Sequence, residues 1–372
     1  MQYNRRYDEL NALFKMGKDV NIVDSDINIR FFNFRSNLLS TLFVQEIKEP
    51  ADKKIFENNE FKYPVFVPAK MKRADKAILL LHGLNERSWS KYLTWAEFLC
   101  KQTGKPVILF PIAFHMNRSP DSWSNPRVLQ PLLTLRRQLN GEDRSLSFAN
   151  VALSERISEQ PFRFYSSGRQ SVSDLTTLLS EIKQGRHELF CENTQIDVFA
   201  YSIGAFLSEI TIMSNFDALF SDSKLFLFCG GGIFSSMLGE SRSIMDKKAF
   251  QSLYSYYMSD FIQEVSANHK NDNILESFNR MISPERDQLK RETFFKSFEN
   301  KLSGISLLHD KVMPYQGIKD AMGDETAASR IELMDFPFAY AHENPFPVNG
   351  VGTEEVNHSF QQVFTKAAQF LA

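Results

Sequence analysis

The chain of 372 residues has only three cysteines, Cys100, Cys191 and Cys229, and they lack the paired spacing of a disulfide framework or a metal knuckle. Each lies on an apolar segment, which reads as a reduced, buried thiol of a cytoplasmic protein; no metal and no cofactor are expected. Net charge is nearly absent as well: 43 basic against 45 acidic side chains leave −2, with a pI near 6.4. That balance gives no basic footprint for nucleic acid or an anionic membrane surface. No apolar run approaches the ~20 residues of a membrane span. The opening stretch MQYNRRYDELNALFKMGKDV lacks the apolar core of a signal peptide. Internal repeats and low-complexity tracts are missing too. The glycine run Gly230-Gly231-Gly232 is followed by no phosphate-binding pattern, which argues against kinase or dinucleotide chemistry.

What is present is a soluble globular balance, long enough for one large or two ordinary domains. The 34 phenylalanines imply a well-filled core and an aromatic-lined pocket. Residues 1–60 are mixed in pattern, with IRFFNF (29–34) and LLSTLF (38–43) as apolar pieces, and read as an accessory extension holding a helix and an early strand. FKYPVFVPAK (61–70) reads as a strand ahead of the main sheet. From Ala77 onward continuous apolar runs recur: AILLLHG (77–83), PVILFPIAF (106–114), QIDVFAYS (195–202), KLFLFCGGG (224–232), GISLLHD (304–310) and RIELMDF (330–336). Strands apolar on both faces belong to parallel sheets covered by helices.

Helical patterns lie between these runs, as parallel crossovers require. Residues 90–104 and 171–185 each start with Ser and end with Gly, 314–323 joins the last two strands, and 359–371 closes the chain. The fold class is therefore α/β, an open doubly wound sheet flanked by helices. Residues 115–168 and 233–303 break the alternation, and insertions of that size at the C-terminal edge of a parallel sheet are expected to form a helical cap over a site.

QIDVFAYSIGAFLSEI (195–210) carries the most chemical information: a buried strand, a tight turn with Ser202 at its tip, then a helix. Such a turn pushes the hydroxyl out of the sheet edge toward a base that can take its proton, and the helix N-terminus favours developing negative charge. Strand and helix nearly touch there, so small residues are needed two before and two after the serine; Ala200 and Gly204 supply them. The alternative reading of Ser202 is an ordinary helix N-cap.

A serine nucleophile needs a base, an orienting acid and oxyanion donors. Asp310, in LLHDKVMPYQG, ends an apolar strand before a Pro-led helix, where a carboxylate can point into the crevice. The preceding strand ends in Cys229 and three glycines and offers no carboxylate. The base should follow the last strand. His342, in DFPFAYAHENPFP, is preferred, and His358, just before the apolar closing helix, is the alternative. For the oxyanion, the N–H of Ile203 directly follows the nucleophile, and the loop His82-Gly83-Leu84 offers the N–H of Leu84. In PIAFHMNRSPDSW (111–123), His115, Arg118 and Trp123 are candidates for the pocket entrance, Arg118 as receptor for a substrate carboxylate or phosphate.

From about residue 61 to the C-terminus the chain resembles the α/β-hydrolase superfamily, in AILLLHG with its loop, FAYSIGA, HDKVMPYQG and the late His342, in the order Ser, Asp, His. Ala200 replaces the commoner Gly, residues 1–60 lie outside the likeness, and the stretch after His342 is longer than usual. The resemblance implies a mostly parallel eight-stranded sheet and hydrolysis of a small-molecule ester or related acyl bond through an acyl-enzyme. Thioester cleavage or acyl transfer by the same triad is the alternative, and a catalytically idle binding protein the reading from another class. Dehalogenation is disfavoured because that chemistry needs a carboxylate where Ser202 stands. The sequence does not indicate an oligomeric state.

Overall fold

The computed structural model describes residues 2–36, 50–141, 143–214, 218–265 and 272–372; the apolar run at 38–43 lies outside them. Nine strands form one sheet: β1 (Val20–Ile22), β2 (Ile27–Arg35), β3 (Glu60–Pro68), β4 (Ala74–Leu81), β5 (Val107–Leu109), β6 (Phe190–Tyr201), β7 (Leu225–Phe228), β8 (Leu302–Leu307) and β9 (Ile331–Met334). Their spatial order is β1-β2-β3-β5-β4-β6-β7-β8-β9. Pairing from β5 across to β9 is parallel, while β1, β2 and β3 are attached antiparallel.

The described sheet thus has nine strands where eight are expected. The difference lies in the first sixty residues. IRFFNF does form a strand, but it pairs along β3 from Ile27 opposite Pro68 to Arg35 opposite Glu60, and β1 folds back on it. A segment read as accessory therefore extends the main sheet.

The described helices of eight residues or more are α1 (Tyr3–Leu13), α2 (Ser90–Thr103), α3 (Pro126–Asn140), α4 (Val151–Glu159), α5 (Arg163–Lys183), α6 (Ile203–Ser214), α7 (Lys247–Ser255), α8 (Asn273–Arg280), α9 (Gln288–Ser297), α10 (Tyr315–Met322) and α11 (Thr353–Leu371). The period-2 pleat sorts the central strands between two cores. Ile78, Leu80, Phe199 and Tyr201 face one core with Trp95 of α2 and Phe360 and Phe364 of α11. Ala77, Leu79, Val198 and Ala200 face the other with Leu175 and Leu179 of α5 and Phe206 of α6. Tyr3 and Leu10 of α1 join the first core, and Arg6 reaches the buried Glu97 of α2, so the chain's first helix is part of the same body.

Two helices start earlier than their sequence punctuation suggests. α5 begins at Arg163 rather than 171, because Tyr165, Val172, Leu175 and Leu179 already follow a buried helical face. α11 begins at Thr353 rather than 359, with Glu354 and Glu355 in its first turn, where carboxylates complement the helix dipole.

The sheet's C-terminal edge is packed backbone to backbone. A Cβ at Gly204 would come within 2.8 Å of the Leu81 and His82 carbonyls, and one at Gly230 within 2.4 Å of Ala205 Cβ. Overpacking of this kind costs about 1–3 kcal/mol. Gly230→Ala is accordingly expected to lower the free energy of unfolding by that amount, seen as a lower urea midpoint at unchanged slope; an unaltered midpoint would show that the turn has slack.

Candidate active site

β6 carries the chain through the centre of the sheet and turns into α6 at Ser202, whose φ of +57° is left-handed. That conformation is uncommon for a residue with a Cβ and persists only where the surroundings impose it. Here they do: Ser202 N–H donates to Phe228 O at 3.2 Å, and Ser202 O accepts from Ala205 N at 2.9 Å. The hydroxyl is left at the sheet edge, and Ser202 is 3% exposed.

His342 lies in a tight turn closed by Asn344 N–H to Ala341 O at 3.0 Å. Its Nε2 is 2.6 Å from Ser202 Oγ, and its Nδ1 is 2.7 Å from Asp310 Oδ2. Asp310 follows β8, and its other oxygen, Oδ1, accepts from the N–H groups of Val312 at 2.9 Å and Met313 at 2.8 Å. With both carboxylate oxygens engaged, Nδ1 is the protonated imidazole nitrogen and Nε2 presents a lone pair to the serine hydroxyl. The His342 and Asp310 side chains are 3% and 0% exposed, so water competes little for these bonds.

Two groups hold the histidine turn. Tyr201, the residue before the serine, donates its hydroxyl to His342 O, and the two rings stack with centroids 5.5 Å apart. Lys91 of α2 donates to Glu343 O at 2.8 Å while its ammonium lies 4.6 Å from the centre of the Tyr201 ring. One strand end thereby presents the hydroxyl and holds the imidazole. Burial raises the Tyr201 and Cys229 pKa values well above their ordinary range, and nearby Asp310 adds to both, so both remain neutral.

His358 does not join this group: it is exposed on α11, inside the helix rather than before it. The loop after β4 is held by its own network, with His82 Nδ1–H donating to Gly83 O at 2.8 Å and Ile112 N–H donating to His82 Nε2 at 2.9 Å. Gly83 N–H in turn donates to the Tyr92 hydroxyl at 2.9 Å. Beyond that loop, Leu84 and Ile203 line one narrow apolar cavity of ≈ 40 Å³ together with Phe206, Phe164 and Phe278. Phe164 belongs to the start of α5 and Phe278 to α8.

The three residues proposed for the pocket entrance part company. Arg118 is wholly buried, and its guanidinium donates to Asp174 at 2.7 Å, Pro111 O at 3.0 Å and Asn58 O at 3.1 Å. The expectation that it receives a substrate anion is corrected, since a guanidinium spent on a buried carboxylate has no charge to offer. Trp123 lines two cavities, with the Arg156 guanidinium 4.2 Å from its ring centre. His115 is buried beside the apolar cavity, its Nδ1–H donating to Ala113 O at 2.8 Å. Tyr201, Lys91 and Asn85 are structural parts of the site that the sequence reading passed over. The usable signal was Asn85, a residue type that tolerates left-handed backbone and here has φ +60°.

A mostly parallel sheet, flanking helices and a serine on a strained strand-to-helix turn define the α/β-hydrolase fold. A model for a family of unknown function, DUF6051, matches residues 1–372, and the chain belongs to that family. No curated protein matches it. Among solved structures, a mutant of the esterase rPPE complexed with (S)-Ac-CPA is similar at a TM-score of 0.52 and 10% identity, covering 100% of this chain and 91% of that one. A bacterial heroin esterase has a TM-score of 0.49 at 13% identity, covering 99% and 91%. A cold-adapted esterase from an Arctic intertidal metagenomic library has 0.44 at 12%, covering 96% and 100%. At such identities the likeness to rPPE is one of fold.

Burial also sets a pH dependence of stability. Burial pushes His115 and His187 from an ordinary 6.5 down to about 4, keeping both neutral in the folded chain. Between those values the unfolded chain binds more protons, so their contribution is complete above 6.5 and is lost as the pH falls toward 4. Melting temperature is expected to fall across that window, and His187→Phe to flatten the slope; an unchanged slope would contradict the burial argument.

Proposed function

We propose that this protein is a serine hydrolase that cleaves a carboxylic ester or related acyl bond through an acyl-enzyme. The observation that supports it most is the unbroken chain Ser202 Oγ–His342 Nε2 and His342 Nδ1–Asp310 Oδ2, at 2.6 and 2.7 Å, buried at the C-terminal edge of the sheet. In this reading Ser202 Oγ attacks the acyl carbon while His342 Nε2 takes its proton. Asp310 keeps Nδ1 protonated and stabilises the imidazolium that forms. The N–H groups of Ile203 and Leu84 receive the developing oxyanion. Collapse of the tetrahedral intermediate breaks the bond to the leaving group, which departs with the proton from Nε2. Water then enters, His342 removes its proton, and the acyl group leaves as the acid.

The segments 115–168 and 233–303 act as the cap. Phe164 and Phe278, one from each, wall the cavity beside Ile203. That cavity is walled chiefly by apolar side chains, which suits an apolar part of the substrate. The idle-binding alternative needs a broken proton path, and the intact chain speaks against it.

Labelling with a fluorophosphonate probe, read by intact mass and peptide mapping, tests the reading. One adduct on Ser202 is expected, absent in Ser202→Ala. His342→Ala and Asp310→Asn should slow labelling by roughly 10²–10⁴-fold, the range for loss of a triad base or its orienting acid. His358→Ala should label like the wild type. Absence of an adduct on the folded protein, or loss of labelling in His358→Ala with retention in His342→Ala, would overturn the assignment.

A further inference from the structure

Arg87 closes the loop that carries Leu84 and is half-buried. Its Nη1 donates to Trp123 O at 2.6 Å and its Nη2 to Asn85 Oδ1 at 3.0 Å, both neutral acceptors. Four other buried or half-buried arginines are matched by carboxylates: Arg118 by Asp174, Arg136 by Asp246, and Arg156 and Arg163 by Asp52. Among the described residues Arg87 has no carboxylate oxygen within 4.0 Å. Burial pushes its pKa down to about 10 and no acidic neighbour offsets the shift. A guanidinium has five N–H donors, so the two bonds formed leave donors and a full charge to spend.

The position is built rather than accidental. Asn85 donates both amide hydrogens to carbonyls, to Ala149 O at 2.8 Å and Ser243 O at 2.7 Å, one from each of the two insertions. Its Oδ1 is thereby fixed as the acceptor that orients Arg87. Arg87 lines two cavities, and Leu84 lines both. One also has Glu86 and Glu343 in its wall, which would repel an anion. The other, of ≈ 40 Å³, is walled by Arg87, Arg156, Arg163, His115 and Trp123 among others, and none of its lining residues is acidic. Because Asp52 and Glu159 already answer Arg156 and Arg163, Arg87 is the cation of this wall left to a ligand.

We propose that Arg87 forms an anion subsite beside the reacting centre, and that the substrate is a short ester carrying a carboxylate; this rests on the hydrolase reading above. Leu84 and Arg87 are three residues apart, so their Cα atoms lie no more than about 11 Å from one another. A carboxylate held by Arg87 is then separated from a carbonyl at Leu84 by a short spacer, as in the half-ester of a small dicarboxylic acid. The cavity admits a planar carboxylate and little more.

The test compares 4-nitrophenyl hemisuccinate with its neutral isostere, 4-nitrophenyl 4-methylpentanoate. The wild type is expected to favour the anionic ester at least tenfold in kcat/KM, and Arg87→Gln to lower kcat/KM for the anionic ester about tenfold more than for the neutral one, chiefly through KM. Arg87→Lys, which keeps the charge but not the fork, should fall between them. Equal preference in the wild type, or equal losses for both esters in Arg87→Gln, would overturn the subsite. Failure of the hydrolase reading looks different: neither ester is turned over and Ser202 takes no probe. The subsite is then decided by calorimetric titration of succinate into Ser202→Ala and the Ser202→Ala, Arg87→Gln double variant. Tighter binding with Arg87 present supports it, and indistinguishable binding contradicts it.

Discussion

The turn from β6 into α6 constrains everything around it. Ser202 has left-handed backbone, Gly204 lies under the end of β4, and Gly230 lies against Ala205, so three chain segments meet with no room for additional side-chain atoms. Such a conformation costs of order 1–3 kcal/mol and survives because packing on both faces of the sheet over-determines it. The same strand end supplies Tyr201, whose hydroxyl and ring engage the His342 turn from more than a hundred residues downstream. Serine and histidine are therefore referenced to one rigid point, and Asp310, fixed by two backbone N–H groups, completes the chain from the turn after β8, two strands across the sheet from β6.

Electrostatics around this centre follow from burial. Several buried arginines are answered by buried carboxylates, an arrangement that is costly to break because the survivor is left desolvated, while Arg291 is met by a set of backbone carbonyls. Arg118 and Asp174 tie the loop after β5 to α5, and Arg156 and Arg163 share Asp52. Arg87 has only two neutral acceptors among the described residues, and it lies on the loop that carries Leu84. Charge that is not matched within the fold is available for recognition.

How much of this was legible beforehand depended on whether the signal was local. The continuous apolar runs announced parallel strands, and the small residues at Ala200 and Gly204 announced the tight turn, because both requirements act over a few residues. Asp310 and His342 could be named from their positions after strands, although the distances that unite them are set by the whole sheet. The pairing of β2 with β3 was missed because a mixed, half-exposed pattern at residues 27–35 does not reveal its partner. Arg118 misled for a related reason: a sequence shows a guanidinium in a loop but not the carboxylate fifty-six residues away that consumes it. Arg87 was overlooked because what distinguishes it, the want of such a partner, is a property of the folded surroundings alone.

Rapid-quench mass spectrometry during turnover of a 4-nitrophenyl ester tests the central claim most directly. A burst of one equivalent of 4-nitrophenol and an acyl adduct on the peptide containing Ser202 are expected, with both abolished in Ser202→Ala. Turnover without an adduct, or an adduct on another residue, would contradict it.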